Sequence, residues 1–332
     1  MIIRDKQDLR KCVKQCVRRA QVIETDAGYA FASGTAGVKA YMQEWTPSCD
    51  VLQDAFYDEC LGSPFVRKPA ELLAALDAMQ LPAHDLDKAE SIIGGYDRDT
   101  YTLMVLDAMR ARKVLIRVPV GSCEQTTFAD DRLNALLVAD QQLFAAGRYG
   151  IDYEGAAQRI GQALRVLRAK DIMSEGFDEF ALRYCLIPVC EDEGAVLHVH
   201  VDSIQQMSCV LKLLAEHSQV RAVVDAEEAL ERELIKQAKS LVNVCVQLQQ
   251  AENIKLAQQT LGLRFIPYSS RADSPEGMLG GWVYAKEALW QTLYDAYLLM
   301  ARAGYELTRE KIEADVERLL CGNYEKLHMT EQ

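Results

Sequence analysis

The chain has 332 residues, 49% of them hydrophobic and 26% charged, with a formal net charge of −12. That is the balance of a soluble globular protein with one large α/β domain or two small ones. An acidic chain without a basic stripe argues against a nucleic-acid partner. The one basic cluster, residues 4–19, also carries Asp5 and Asp8 and reads as a helix face. No run of about 18 apolar residues occurs, so no membrane span is expected. No apolar stretch follows the first six residues, so no secretory leader is expected. The ten cysteines are scattered without a Cys-x-x-Cys pair. They read as reduced thiols of a cytoplasmic protein, not as a disulfide framework or zinc site.

In chain order, residues 4–20 predict a helix, with Leu9, Val13 and Val17 at four-residue spacing. Residues 21–25 read as a first strand running into Asp26-Ala-Gly28. Residues 29–112 carry helical patterns and turn signals but no convincing strand. That stretch is too long for a simple βα connection and predicts a helical insertion within a single domain spanning 1–332. Strand patterns return at 113–119 and 134–140, followed by a helix over 155–168. The fourth strand is ambiguous between 171–175 and 183–188. Strands at 195–201, 220–225, 241–247 and 263–268 then alternate with helices over 204–217 and 227–239 and one ending at Leu261. The charge-rich run 226–239 reads as a solvated helix face. Gly280-Gly281 reads as a loop edge, and 284–303 and 308–327 as closing helices, with Thr308 as N-cap of the second.

Parallel βα units of this kind predict an α/β fold, a TIM-type (β/α)8 barrel with an N-terminal helical insertion after the first strand. A doubly wound open sheet is the alternative. It lacks support, because no Gly-x-Gly-x-x-Gly follows the first strand and no P-loop motif occurs.

Several segments resemble the uronate-isomerase-like branch of the amidohydrolase superfamily. They are Val22-Ile-Glu-Thr-Asp-Ala-Gly28, the strand ending in Asp140, Val196-Leu-His-Val-His-Val-Asp202, and the stretch from Phe265 through Arg271 to Gly322-Asn-Tyr-Glu-Lys-Leu327. The resemblance implies a first strand ending in His-x-His that binds a divalent metal together with a later His and a last-strand Asp. Such a metal activates water or holds a sugar carbonyl. Here Asp26 and Gly28 stand at the His-x-His positions, Asp225 at a sixth-strand ligand position, and Ser269, or Ser270, at the last-strand Asp. His200 alone keeps a ligand-type residue where the fifth-strand His would lie. The implied metal site is therefore degenerate. No cofactor is expected, and a weakly held zinc or manganese is the most this set allows.

Asp26, His200 and Asp225 are the candidate catalytic residues. Arg117, Asp140, His198, Tyr268 and Arg271 are the candidate substrate-binding ones. His198 and His200 alternate on a strand and share a face; they read either as core histidines or as a contact site. By the same rule Glu24 and Asp26 share a face; either they split their pKa values or one of them forms a salt bridge with a neighbouring Arg. Asp140, Asp202 and Asp225 follow strands, where acids often cap the next helix. Arg117 needs a partner inside its strand, Asp140 or a ligand carboxylate. Arg271 either grips a carboxylate bidentately or pairs with Asp273. His84, His217 and His328 read as surface residues.

Two functions follow. One is an enzyme, a metal-dependent hydrolase or sugar-acid isomerase, acting on a small carboxylated substrate. The other is a barrel without catalysis that binds a small anionic ligand or a protein. Two guanidiniums at one mouth would favour anions in either case, and a homo-oligomer is compatible with both.

Overall fold

The computed structural model describes residues 3, 5–28, 67–146, 150–176, 178–272 and 274–329. Eight parallel strands follow one another around a single sheet in chain order. They are β1 (Val22–Ala27), β2 (Ala111–Pro119), β3 (Leu133–Ala139), β4 (Asp171–Ser174), β5 (Val196–Val201), β6 (Ala222–Ala226), β7 (Val244–Gln247) and β8 (Phe265–Ile266). The apolar runs of β3, β5, β6 and β7 follow from burial on both faces, barrel interior on one side and helices on the other. The architecture is the expected α/β TIM-type barrel.

The helices are α1 (Lys6–Arg19), α2 (Arg67–Ala78), α3 (Leu86–Ile93), α4 (Arg98–Met109), α5 (Tyr153–Leu167), α6 (Ile187–Glu193), α7 (Ile204–Glu216), α8 (Glu228–Gln237), α9 (Ile254–Leu261), α10 (Pro275–Arg302) and α11 (Arg309–Glu317). Helices α2 to α4 lie within the expected insertion; residues 29–66 of it lie outside the described residues. Among the described residues no helix is long and apolar enough to cross a membrane.

The ambiguous fourth strand resolves to Asp171–Ser174. The rival segment is helical, a wide π-type turn at Leu182–Leu186 leading into α6. Leu182, Cys185, Leu186, Val189 and Cys190 are buried at helical spacing. Pro188 follows directly on that wide turn, where the altered bonding pattern admits a residue without an N–H. The last ladder is shorter than expected: Leu248 N still donates to Ile266 O at 3.0 Å, but Leu248 O is met by Ser269 N at 2.9 Å, one residue later than a regular ladder would have it.

The loop edge expected at Gly280-Gly281 is instead the interior of α10, capped by Ser274 through Gly277 N at 3.2 Å. A Cβ at 280 would run into the Glu71 backbone of α2, and one at 281 into the Tyr268 hydroxyl. These glycines serve close packing of the helix, not a turn. Thr308 caps α11 as expected, accepting from Lys311 N at 3.2 Å. Ser203, not Asp202, caps α7, accepting from Gln206 N at 3.3 Å.

The seam between β1 and β8 is closed around one carboxylate. Glu24, fully buried, accepts from Ser269 Oγ at 2.6 Å, from Ser270 N at 3.0 Å and from Trp282 Nε1 of α10 at 2.8 Å. A backbone bond from Gly28 N to Ala272 O, 2.8 Å, completes it.

Candidate functional site

The site starts with a bulge in β1. Glu24 pairs with Val114 and Ala27 with Ile116, so β1 takes three steps where β2 takes two. The extra residue turns Glu24 and Asp26 to opposite sides of the sheet. The expectation that they share a face is thereby corrected, and of the two alternatives read for the pair Asp26 takes the Arg salt bridge. Glu24 faces α10 and the seam, while Asp26 faces the mouth of the barrel.

Asp26 is 2% exposed and meets two guanidiniums. Arg117 of β2 grips it bidentately, Nε to Oδ1 at 2.5 Å and Nη2 to Oδ2 at 2.7 Å. Such a fork fixes both partners in one plane. The partner of Arg117 is thus Asp26 and not Asp140. Arg271, beyond β8, brings its Nε to 3.2 Å from Asp26 Oδ2.

The other half of the site comes from β5 and β6. His200 and Asp225 are register partners, and His200 Nδ1 lies 3.1 Å from Asp225 Oδ1. On its far side, His200 Nε2 is 3.3 Å from Glu227 Oε1. The second Asp225 oxygen accepts from Gln249 Nε2 at 2.8 Å. Asp225 therefore serves the site rather than capping α8. Arg271 joins the halves: its Nη1 is 3.0 Å from His200 Nδ1 and 3.9 Å from Asp225 Oδ2. Its backbone sits at φ 47°, in the left-handed region, a conformation that costs a non-glycine residue about 1 kcal/mol or more.

Burial pulls His200 toward its neutral form, but the hydrogen bond and charge of Asp225 outweigh it, so its pKa is raised. Burial likewise opposes ionisation of Asp225, yet the bonds from His200 and the charge of Arg271 hold its pKa below the ordinary carboxylate range. The His200 ring faces a conflict. A proton on Nδ1 serves Asp225, whereas a bare Nδ1 would accept from Arg271, and one nitrogen cannot do both. Arg117 and Arg271 are matched by Asp26 and Asp225, so the expected positive field at the mouth is largely cancelled.

The fold is that of the uronate isomerases. The chain matches a uronate isomerase from Bacillus halodurans with a TM-score of 0.80 over 98% of this chain and 97% of that one, at 19% identity. It matches one from Thermotoga maritima with a TM-score of 0.69 over 97% of both chains, at 10% identity. No protein-family model matches the chain, and no curated protein matches it.

Of the residues singled out in the sequence, Asp26, Arg117, His200, Asp225 and Arg271 come together at the mouth. His198 does not join them. It shares the interior face but bonds Asp171, at the start of β4, at 3.0 Å. That carboxylate also accepts from Tyr324 OH at 2.8 Å and lies 3.4 Å from His328 Nε2, at the opposite end of the barrel. His328, expected at the surface, is thus part of a largely buried cluster. Tyr268 is 4% exposed and packs edge-on against Trp282 of α10, ring centroids 5.4 Å apart. It also borders a cleft of about 740 Å³ with Gln249, Gln250, Asn253 and Ser270. Asp140 caps the turn after β3, accepting from Leu143 N at 3.0 Å, and borders a separate cavity of about 520 Å³ with Cys123, Glu124 and Arg159. Ser269 is turned to Glu24 and offers nothing to the mouth. Asp273, the alternative partner of Arg271, lies outside the described residues.

Two contributors were missed. Gln249 had no signal, being an uncharged amide in a loop. Glu231 stood in the run read as a solvated face, yet it is fully buried. It accepts from Gln249 N at 2.5 Å, from Gln250 N at 3.3 Å and from Asn253 Nδ2 at 2.5 Å. It thereby fixes the loop that carries Gln249 to Asp225.

Proposed function

We propose that this chain is a divergent uronate-isomerase-like protein whose barrel mouth binds a small carboxylated ligand, a sugar acid, and shuttles a proton on it. The observation that carries this reading is the convergence of Asp26, Arg117, His200, Asp225 and Arg271 after the strand ends, where barrels of this kind hold their chemistry. Isomerisation of a sugar acid needs a proton taken from the carbon beside a carbonyl and returned to its neighbour. His200, oriented by Asp225, supplies the base. Arg271 supplies N–H groups for the oxygen on which charge develops.

The divalent metal implied by the sequence resemblance does not fit these residues. Among the described residues, no group of three or more His, Cys, Asp or Glu is placed to hold a metal ion. The oxygens that would face it, on Asp26 and Asp225, already face the Arg271 guanidinium, and so does His200 Nδ1. No step here is routed through a metal.

A second reading, a binding module without turnover, is favoured by one contact. Arg271 Nη1 stands 3.0 Å from His200 Nδ1 and competes for the position through which Asp225 would orient the base. One experiment separates the readings. The protein is incubated in D2O with hexuronates, with matched neutral sugars as controls, and followed by NMR and thermal shift. Deuterium at the carbon beside the carbonyl, with ketose formed, supports the isomerase. Stabilisation without exchange, about 2.7 kcal/mol at a hundredfold excess over Kd, supports the binding module. Equal responses to acids and neutral sugars would rule out the carboxylate reading altogether.

A further inference from the structure

We infer that the mouth is built around an internal cation: the Arg271 guanidinium occupies the position between Asp26, Asp225 and His200 that a divalent ion would need, and ligand oxygens are met there by N–H groups in place of a metal. Three observations support this independently of which ligand binds. First, one guanidinium reaches both halves of the site, Nε toward Asp26 and Nη1 toward His200 and Asp225. A divalent ion placed there would need lone pairs at about 2.0–2.2 Å from several of these groups at once, and it would sit against a fixed positive charge. Second, Asp26 is already doubly bonded by Arg117, so its oxygens are committed to guanidiniums on two sides. Third, Arg271 keeps an unfavourable left-handed backbone conformation. That conformation is retained where surrounding contacts over-determine it, and it brings the side chain inward from beyond the last strand.

Arg271 Nη2 has no hydrogen-bond partner among the described residues. It is the donor left for a ligand oxygen. A guanidinium is a permanent cation that directs its donors in a plane. It therefore suits a planar carboxylate or enolate oxygen, and it cannot be removed by chelation.

The inference also stands if the sugar-acid reading fails, because its test reads stability with no sugar present. Arg271→Gly deletes the cation while keeping a residue at ease at positive φ, and Arg271→Asn is the second variant should the glycine loosen the loop. Methylguanidinium at tens of millimolar should then raise the melting temperature of either variant by about 4 °C and leave the wild type unmoved. Methylammonium, which lacks the planar fork, should give less than half that rise. For wild-type protein we expect well below one equivalent of zinc or manganese by elemental analysis and no change of melting temperature with chelator. Stoichiometric metal in the wild type, lost on chelation with a drop in melting temperature, would overturn the inference. So would folded variants that respond to methylguanidinium no more than the wild type does.

Discussion

His200 is pulled two ways, and its pH behaviour shows which pull wins. Burial favours the neutral ring, while the Asp225 carboxylate favours the charged one and prevails. A histidine whose folded pKa exceeds its unfolded value stabilises the fold fully below that unfolded value, about 6.5. The stabilisation is lost as pH rises through the folded value. Asp225, shifted down, contributes above the ordinary carboxylate range and loses that contribution as pH falls through its folded value. The pair is therefore worth most in mildly acidic solution. His200→Gln should lower the melting temperature most near about pH 5.5 and progressively less toward pH 9, measured by thermal unfolding across that range. A difference constant with pH would show that the ring is neutral throughout. At this scale the sequence was readable where a charged residue ended a strand, as at Asp26, His200 and Asp225. It was not readable where geometry depended on an inserted residue. The bulge that separates Glu24 from Asp26 has no signature in six residues, and the burial of Glu231 has none in a helix of alternating charge.

Among the elements, α10 carries the most direct test. In an ordinary helix interior Gly→Ala stabilises by about 1 kcal/mol. At 280 the added methyl would enter the Glu71 backbone of α2. Neither helix can give way cheaply, because α10 also packs on α1 and α4. Gly280→Ala should instead cost about 1–3 kcal/mol, read from the denaturation midpoint in guanidinium chloride. The sign alone is diagnostic: stabilisation would mean that α2 and α10 lie farther apart. The start of α10 was hidden in the sequence for the same reason, since paired glycines that admit a neighbouring backbone look like a turn. Strands, by contrast, were legible from Val- and Ile-rich runs. The fourth was ambiguous because its rival is equally apolar, and what separates them is helical spacing of buried positions.

At the scale of the whole molecule, the chain is tied at both ends of the barrel. At the bottom, Asp171 collects His198, Tyr324 and His328, and so anchors the C-terminal segment to the strand interior. Its pKa is pushed well down, the bond from His198 and the nearby His328 ring overcoming burial. Asp171→Asn removes the charge on which those partners converge. It should cost about 3 kcal/mol and speed cleavage after Tyr324 in limited proteolysis. An unchanged cleavage rate would place the anchor elsewhere. At the top, the seam has a different character. Seven junctions of the wall are backbone ladders, whereas among the described residues the eighth is joined by the Glu24 carboxylate and one backbone bond. The Asp26–Arg271 contact crosses that same junction. A molecule that draws Asp26 and Arg271 together is therefore also a clasp on the ring. The amides of Ser269 and Ser270 should exchange with solvent more slowly as the mouth fills, making circumference itself a report of occupancy.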